Sequence, residues 1–263
     1  MSQNKQDKKA RKRRRKQNES LFLKIVRIWG TILIILIMAG GFFFIKKIGI
    51  PVFRMYREAS RIVDECDESD FRGELTSIIY DADGNEIKKL KGDKDVYYLS
   101  YEDIPDSAKL AFISTEDKKF TEHRGIDLTG IARSLAYNIT HRGYRMMGGS
   151  TITQQLARNI FLGYEKTYSR KMKEIFIAAK LERKYTKEKI LEFYLNNVYF
   201  ANGFYGLEAA SQGYFGKSAS ELDISQIAFL ASIPNSPSRY DPYEHMEDTL
   251  QRRNRILKSM CDD

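Results

Sequence analysis

Gly148-Gly149-Ser150-Thr151-Ile152-Thr153-Gln154-Gln155 carries a glycine loop into the start of a helix. Thr151, with Gln154 three residues on, has the capping-box pattern that satisfies the free N–H groups of a first helical turn. The glycines let backbone approach a ligand closely, and a helix start offers N–H groups to an anion. Gln154 and Gln155 add amides suited to hydroxyls or N-acetyl groups. Arg158 lies one turn beyond Gln154 on the same face, and Asn159 stands in the same relation to Gln155. A well-capped helix after a loop accounts for Thr151 and Gln154. It leaves the doubled Gln and both glycines without a reason.

Outward from this stretch, the pattern after Pro105 is helical almost throughout. Apolar spacing predicts helices over Asp106–Thr115, Leu128–Tyr137, Thr151–Leu162, Arg170–Lys184, Lys187–Tyr194, Leu207–Phe215, Leu222–Ala231 and Met246–Met260. Ser220 with Asp223 reads as a second capping pair. Upstream, Leu75–Tyr80 and Glu86–Leu90 flank Asp83-Gly84, a two-strand hairpin signal. The expected fold class is mainly α with one small β-hairpin.

The chain has 263 residues and a formal charge of +9, which invites a nucleic-acid reading. Placing the charge removes that reading. Met1–Arg27 holds eleven Lys or Arg against Asp7 and Glu19, and basic and acidic residues are equal in number over the rest. Ile28–Ile45 follows, eighteen residues without a charge, which as a helix reaches ~27 Å, enough for a thin or untilted bilayer crossing. Trp29 and the Lys46-Lys47 pair mark its rims, and the basic excess before it puts the N-terminus in the cytoplasm. A cleaved signal peptide ending at Ala39-Gly40-Gly41 is the alternative, but the apolar run continues through Phe42–Ile45. The resulting organisation is a basic cytoplasmic tail at 1–27, a transmembrane helix at 28–45, a charged helical stalk at 46–73 and a compact domain at 74–260. Cys66 and Cys261 have no metal-ligand spacing and read as two unremarkable cysteines.

Three further clusters place unlike polar groups together. Glu116-Asp117-Lys118-Lys119-Phe120-Thr121-Glu122-His123-Arg124-Gly125 follows an apolar helix, where a carboxylate is partly desolvated and suited to proton transfer. A solvated helix end is the plainer reading. Arg170-Lys171-Met172-Lys173-Glu174 sets Arg170 and Lys171 on one face with Glu174. That is either an exposed salt-bridged helix or a diphosphate clamp. Ile190–Gly203 mixes aromatics and amides, which suits a saccharide groove or an ordinary core. Between Glu116 and Lys189 there are sixteen Lys or Arg against eight Asp or Glu, so the neutral remainder is locally basic around these clusters.

In this order the clusters resemble the glycosyltransferase family 51 domain, the peptidoglycan glycosyltransferase of class A penicillin-binding proteins and monofunctional transglycosylases. The match rests on ED-x-x-F-x-x-H-x-G at Glu116–Gly125, GGSTITQQ at Gly148–Gln155 and RK-x-x-E at Arg170–Glu174. It extends through ILE-x-YLN-x-VYF at Ile190–Phe200 and A-x-L-A-x-I-P-x-x-P at Ala228–Pro237. The resemblance implies a lysozyme-like, mainly helical fold with a membrane-associated jaw, to which Tyr144, Met146, Met147, Phe161 and Leu162 are candidates. It implies polymerisation of lipid II into β-1,4-linked glycan, with inversion and release of a polyprenyl diphosphate. Glu116 is then the candidate base for the acceptor 4-hydroxyl and Glu174 the second catalytic carboxylate. Asp117, Phe120, His123, Ser150, Thr151, Gln154, Gln155, Arg158, Asn159, Arg170, Lys171 and Asn202 are candidate substrate-binding residues. Within that set, His123 is expected to hold the loop around Glu116 by hydrogen bonding, and Phe120 to be a packing anchor. A divalent metal ion (Mg or Mn) near Glu174 is the alternative source of positive charge at the leaving group. The implied partners are lipid II, the growing lipid-linked glycan, the membrane and other cell-wall synthesis or division proteins, with no nucleic acid.

Two departures from the family pattern stand out: Ala201, where glycine is common, and Thr121, where an aromatic is frequent. Beyond the membrane run there is no Ser-x-x-Lys and no Lys-Thr-Gly, so this sequence carries no transpeptidase motif; it is either monofunctional or an incomplete copy of a longer protein that continues into a transpeptidase. A membrane-tethered muramidase is the rival enzyme reading and a non-catalytic scaffold the other; the basic residues around the second carboxylate argue against hydrolysis.

Overall fold

The structure is a computed structural model, described over residues 29–72, 77–80, 86–90, 97–140, 148–163 and 167–262. It divides into two compact units, Met1–Arg54 and Met55–Asp263. The first holds α1 (29–44), a π-helical turn at Ile45–Gly49 and the start of α2 (Ile50–Glu65), whose residues from Met55 on belong to the second. The uninterrupted helix Trp29–Glu65 is 37 residues long, and its apolar part is long enough to cross a membrane. The basic tail and Ile28 lie outside the described residues.

The expected stalk is not all stalk. Ala59 and Val63 of α2 are buried, as are Cys66 and Phe71 just after it. Phe71 stacks on Phe193 at 4.0 Å and meets Phe161 and Tyr185 edge to face. Lys184 closes the end of α2 by donating from Nζ to the carbonyls of Val63 and Cys66. The charged face of 50–69 hid an inward stripe at i and i+4, which is how a helix on the rim of a core reads. Cys66 and Cys261 are both free, one buried and one exposed. Burial pushes the Cys66 thiol up.

The second unit is mainly helical with one hairpin, as expected. Strands β1 (Ser77–Tyr80) and β2 (Glu86–Leu90) pair antiparallel, with a register irregularity between Ile79 and Tyr80. The Asp83-Gly84 turn lies outside the described residues. The helices are α3 (Asp106–Glu116), α4 (Leu128–Thr140), α5 (Ile152–Phe161), α6 (Tyr168–Lys184), α7 (Lys187–Asn197), α8 (Leu207–Phe215), α9 (Ile224–Ser232) and α10 (Met246–Asp262). Thr151 and Gln154 form the expected capping box on α5. The second expected cap is displaced: Ser218 pairs with Glu221 across a 3-10 turn, and Asp223 with Gln226 starts α9. Ser220 lies inside that turn.

Helix α7 runs through the core, with every residue from Ile190 to Asn196 buried. A helix enclosed on all sides needs its polar groups satisfied, and this resolves the Ile190–Gly203 cluster as architecture. Asn196 accepts from Leu99 N at 2.8 Å and donates to Leu99 O and Glu192 O. Glu192 accepts from the Tyr98 hydroxyl, Tyr101 N and Lys189. Together they strap the 97–101 segment onto α7. Asn196→Ala strands two backbone groups of that segment and is expected to cost about 1–3 kcal/mol, read as a lowered denaturation midpoint with an unchanged m-value.

Candidate active site

Helix α3 ends at Glu116, and its last turn delivers Glu116 and Asp117 into a cleft of about 230 Å³. Lys118, Lys119 and Arg133 line the same cleft, as do Gly148, Gly149, Ser150 and Thr151. The Glu116 side chain is only 5% exposed. It accepts from Gln155 Nε2 at 2.9 Å and faces Arg252 at 3.4 Å.

Asp117 lines the same cleft but is held by the chain itself. Its carboxylate accepts from His123 Nε2 at 2.9 Å and from the backbone N–H of Ile152 at 3.0 Å. Gly125 N donates to His123 Nδ1, so the imidazole proton sits on Nε2 and is donated to Asp117. His123 therefore holds the loop around Glu116. Asp117 is committed to this network, and the anion at the α5 N-terminus is the chain's own carboxylate. The Thr151 hydroxyl donates to Gly125 O and accepts from Gln154 N, which spends it on the fold. Gly125 is held at φ +88° with its α-carbon against the Ala178 backbone, where a Cβ would lie 2.9 Å from Ala178 C and O. Phe120 is 1% exposed in the core, beneath Lys187 Nζ at 4.4 Å. These contacts make Asp117, Thr151 and Phe120 supports of the site.

The second carboxylate lies on α6. Glu174 is 1% exposed, with Arg170 Nε at 3.1 Å and Lys171 Nζ at 2.8 Å. Lys171 also donates to Ser150 Oγ at 2.7 Å and Gln154 Oε1 at 3.3 Å. Ser150 lines the Glu116 cleft, so the two carboxylates belong to one connected arrangement. The doubled Gln explains the connection. Successive helical residues point about 100° apart, so Gln155 reaches Glu116 while Gln154 reaches Lys171. Arg158 is half-buried one turn further on, and Asn159 is exposed.

Asn202 does not join this cluster. Its amide donates to Tyr214 Oη at 2.9 Å and Asp241 Oδ1 at 2.8 Å, fixing the loop after α7. Ala201 and Asn202 both have positive φ, 64° and 51°. That is the conformation glycine adopts most freely, which is the physical content of the Ala201 departure. Of the jaw candidates, Phe161 and Leu162 pack against the core as half-buried residues; Tyr144, Met146 and Met147 lie outside the described residues.

Arg252 was not read from the sequence as a site residue. It lies on α10, whose buried Thr249, Ile256 and Met260 mark an inward stripe. Arg252 falls three residues after Thr249 and four before Ile256, on that stripe. A charged residue in an apolar register was the available signal.

The donor set around Glu174 does not fit a divalent metal ion. Its two oxygens face two cations, and no group of three or more His, Cys, Asp or Glu able to hold a metal occurs among the described residues.

The Transglycosylase family profile matches residues 83–261. Penicillin-binding protein 4 of Bacillus subtilis is 38% identical over 238 residues, covering 90% of this chain and 38% of that protein. Penicillin-binding protein 1A of Aquifex aeolicus is 46% identical over 187 residues, covering 71% of this chain and 26% of that protein. The crystal structure of penicillin-binding protein 1A from Haemophilus influenzae aligns at 25% identity with a TM-score of 0.39, over 72% of this chain and 19% of that one. The chain thus spans well under half the length of these relatives. With the profile matched from the hairpin to the last helix, the chain belongs to the Transglycosylase family.

Proposed function

We infer that the chain is a peptidoglycan glycosyltransferase that polymerises lipid II into β-1,4-linked glycan, with inversion and release of polyprenyl diphosphate. The observation that carries this reading is the pair of buried carboxylates joined through the first turn of α5, one at a cleft and one clasped by two cations. In this reading Glu116, held by Gln155 and Arg252, takes the proton of the attacking 4-hydroxyl. Arg170, Lys171 and Arg158 supply positive charge for the departing diphosphate. Hydrolysis of a glycosidic bond makes no such leaving group, which disfavours the muramidase reading.

The long apolar helix Trp29–Glu65 fits a protein whose substrate and product are both lipid-tethered. With eleven basic residues before the apolar run, the proposed topology places the N-terminus in the cytoplasm and the site outside. The test is incubation of the detergent-solubilised protein with lipid II. Glycan polymer is the expected product; release of short sugars from finished glycan, without polymer from lipid II, overturns the reading.

A further inference from the structure

Tyr194 is the largest fully buried side chain among the described residues, and its hydroxyl has no part in the contacts that hold the core. It sits in the middle of α7, packed edge to face on Phe112 of α3 at 6.2 Å. Packing alone would be served by phenylalanine, and a phenol taken wholly out of water needs a partner. The only hydrogen bond formed by that hydroxyl among the described residues is to Gln155 Oε1, at 3.4 Å. The other end of the same amide donates to Glu116 at 2.9 Å. Burial holds the Tyr194 phenol well above its ordinary range, with the Glu116 carboxylate adding to the effect and Arg158 opposing it, so the hydroxyl keeps its proton and remains a donor.

The geometry points to Tyr194 as a positioning residue for the reaction: its hydroxyl occupies Gln155 Oε1, which turns Gln155 Nε2 onto the Glu116 carboxylate. This rests on Glu116 being the base of the proposed glycosyltransferase and says how its orientation is set. An amide has a donor end and an acceptor end, and only one rotamer satisfies both Tyr194 and Glu116. Without the phenol, Gln155 Oε1 is a buried acceptor with no donor, and the amide gains by swinging away toward water. The cost then falls on the rate of the chemical step, because Glu116 is misdirected while the groups that bind substrate are untouched.

The experiment is a double-mutant cycle with Tyr194→Phe and Gln155→Met, assayed on lipid II and checked by thermal unfolding. Tyr194→Phe is expected to lower kcat about tenfold, the scale of one buried hydrogen bond, with KM within about twofold. In the Gln155→Met background the same change is expected to have less than about a twofold effect, since the route to Glu116 is already cut. An unchanged kcat in Tyr194→Phe, or an equal loss in both backgrounds, overturns the inference. Should Tyr194→Phe fail to fold, Gln155→Met alone must show the loss of kcat, and its absence is equally fatal.

A second readout is independent of the proposed reaction. Glutamine labelled with nitrogen-15 gives a side-chain amide signal for Gln155, assigned by its disappearance in Gln155→Met. That signal is expected to shift in Tyr194→Phe and in Glu116→Gln. A signal unmoved by Tyr194→Phe overturns the positioning role even if the wild-type protein makes no polymer, whereas a moved signal without polymer condemns only the functional reading.

Discussion

Glu116→Gln is expected to lower glycan polymerisation from lipid II by ~10²-fold or more, the usual scale for loss of a general base, while the protein stays folded. The substitution keeps the shape of the side chain. Its carbonyl oxygen can still accept from Gln155, so the close-packed contact at 2.9 Å survives. What it loses is the capacity to take a proton, and the negative charge that faces Arg252 at 3.4 Å. Arg252 is 17% exposed at its side chain and keeps partial access to water. The stability cost should therefore be small beside the kinetic one. A gel of lipid-linked products, run with a thermal unfolding curve on the same preparation, separates the two. Undiminished polymer from a folded Glu116→Gln protein removes Glu116 from its role.

The helices were legible because their signals are local. Leu207–Phe215 runs from Gly206 to Gly216, both at positive φ, and its bounds were read without error. The Thr151–Gln154 box was equally plain, since capping chemistry acts over three residues. Helix ends were less legible where tertiary contact extends them: α7 continues to Asn197 because Asn197 donates to Phe71 O and Phe193 O. No local pattern foretells that bond to a residue 126 positions away. The site divides in the same manner. Glu116, Gln155, Lys171 and Glu174 announce themselves as unlike polar groups crowded at helix ends, and the structure brings them together. Asp117 and Thr151 carry the same polar signature, yet their atoms are spent on Ile152 N, His123, Gly125 O and Gln154 N. Residue type shows that a group can bind a ligand; only the folded contacts show whether it is still free to do so.

Removing both cations from Glu174, as Arg170→Leu with Lys171→Met, is expected to destabilise the fold by about 3–5 kcal/mol and to abolish polymerisation. Glu174 is 1% exposed, and Arg170 and Lys171 are the two ion-pair partners it has among the described residues. Stripping them leaves a buried charge without compensation, which costs far more than the pair ever contributed. The loss of activity by itself would then be ambiguous, because an unfolded enzyme is also inactive. Adding Glu174→Met separates loss of folding from loss of the site. Three apolar residues of similar volume in place of a buried ion triad restore most of the stability, but they cannot bind a departing diphosphate. The triple variant should therefore unfold near the wild-type temperature and make no polymer. Lys171 has the more direct claim on the phosphate, with its side chain 42% exposed against 19% for Arg170. Lys171→Met alone should accordingly lose most of the rate, since Arg170 Nε still faces the buried carboxylate at 3.1 Å. A triple variant that polymerised lipid II would mean that these cations serve only to neutralise Glu174, and that the diphosphate leaves by another route.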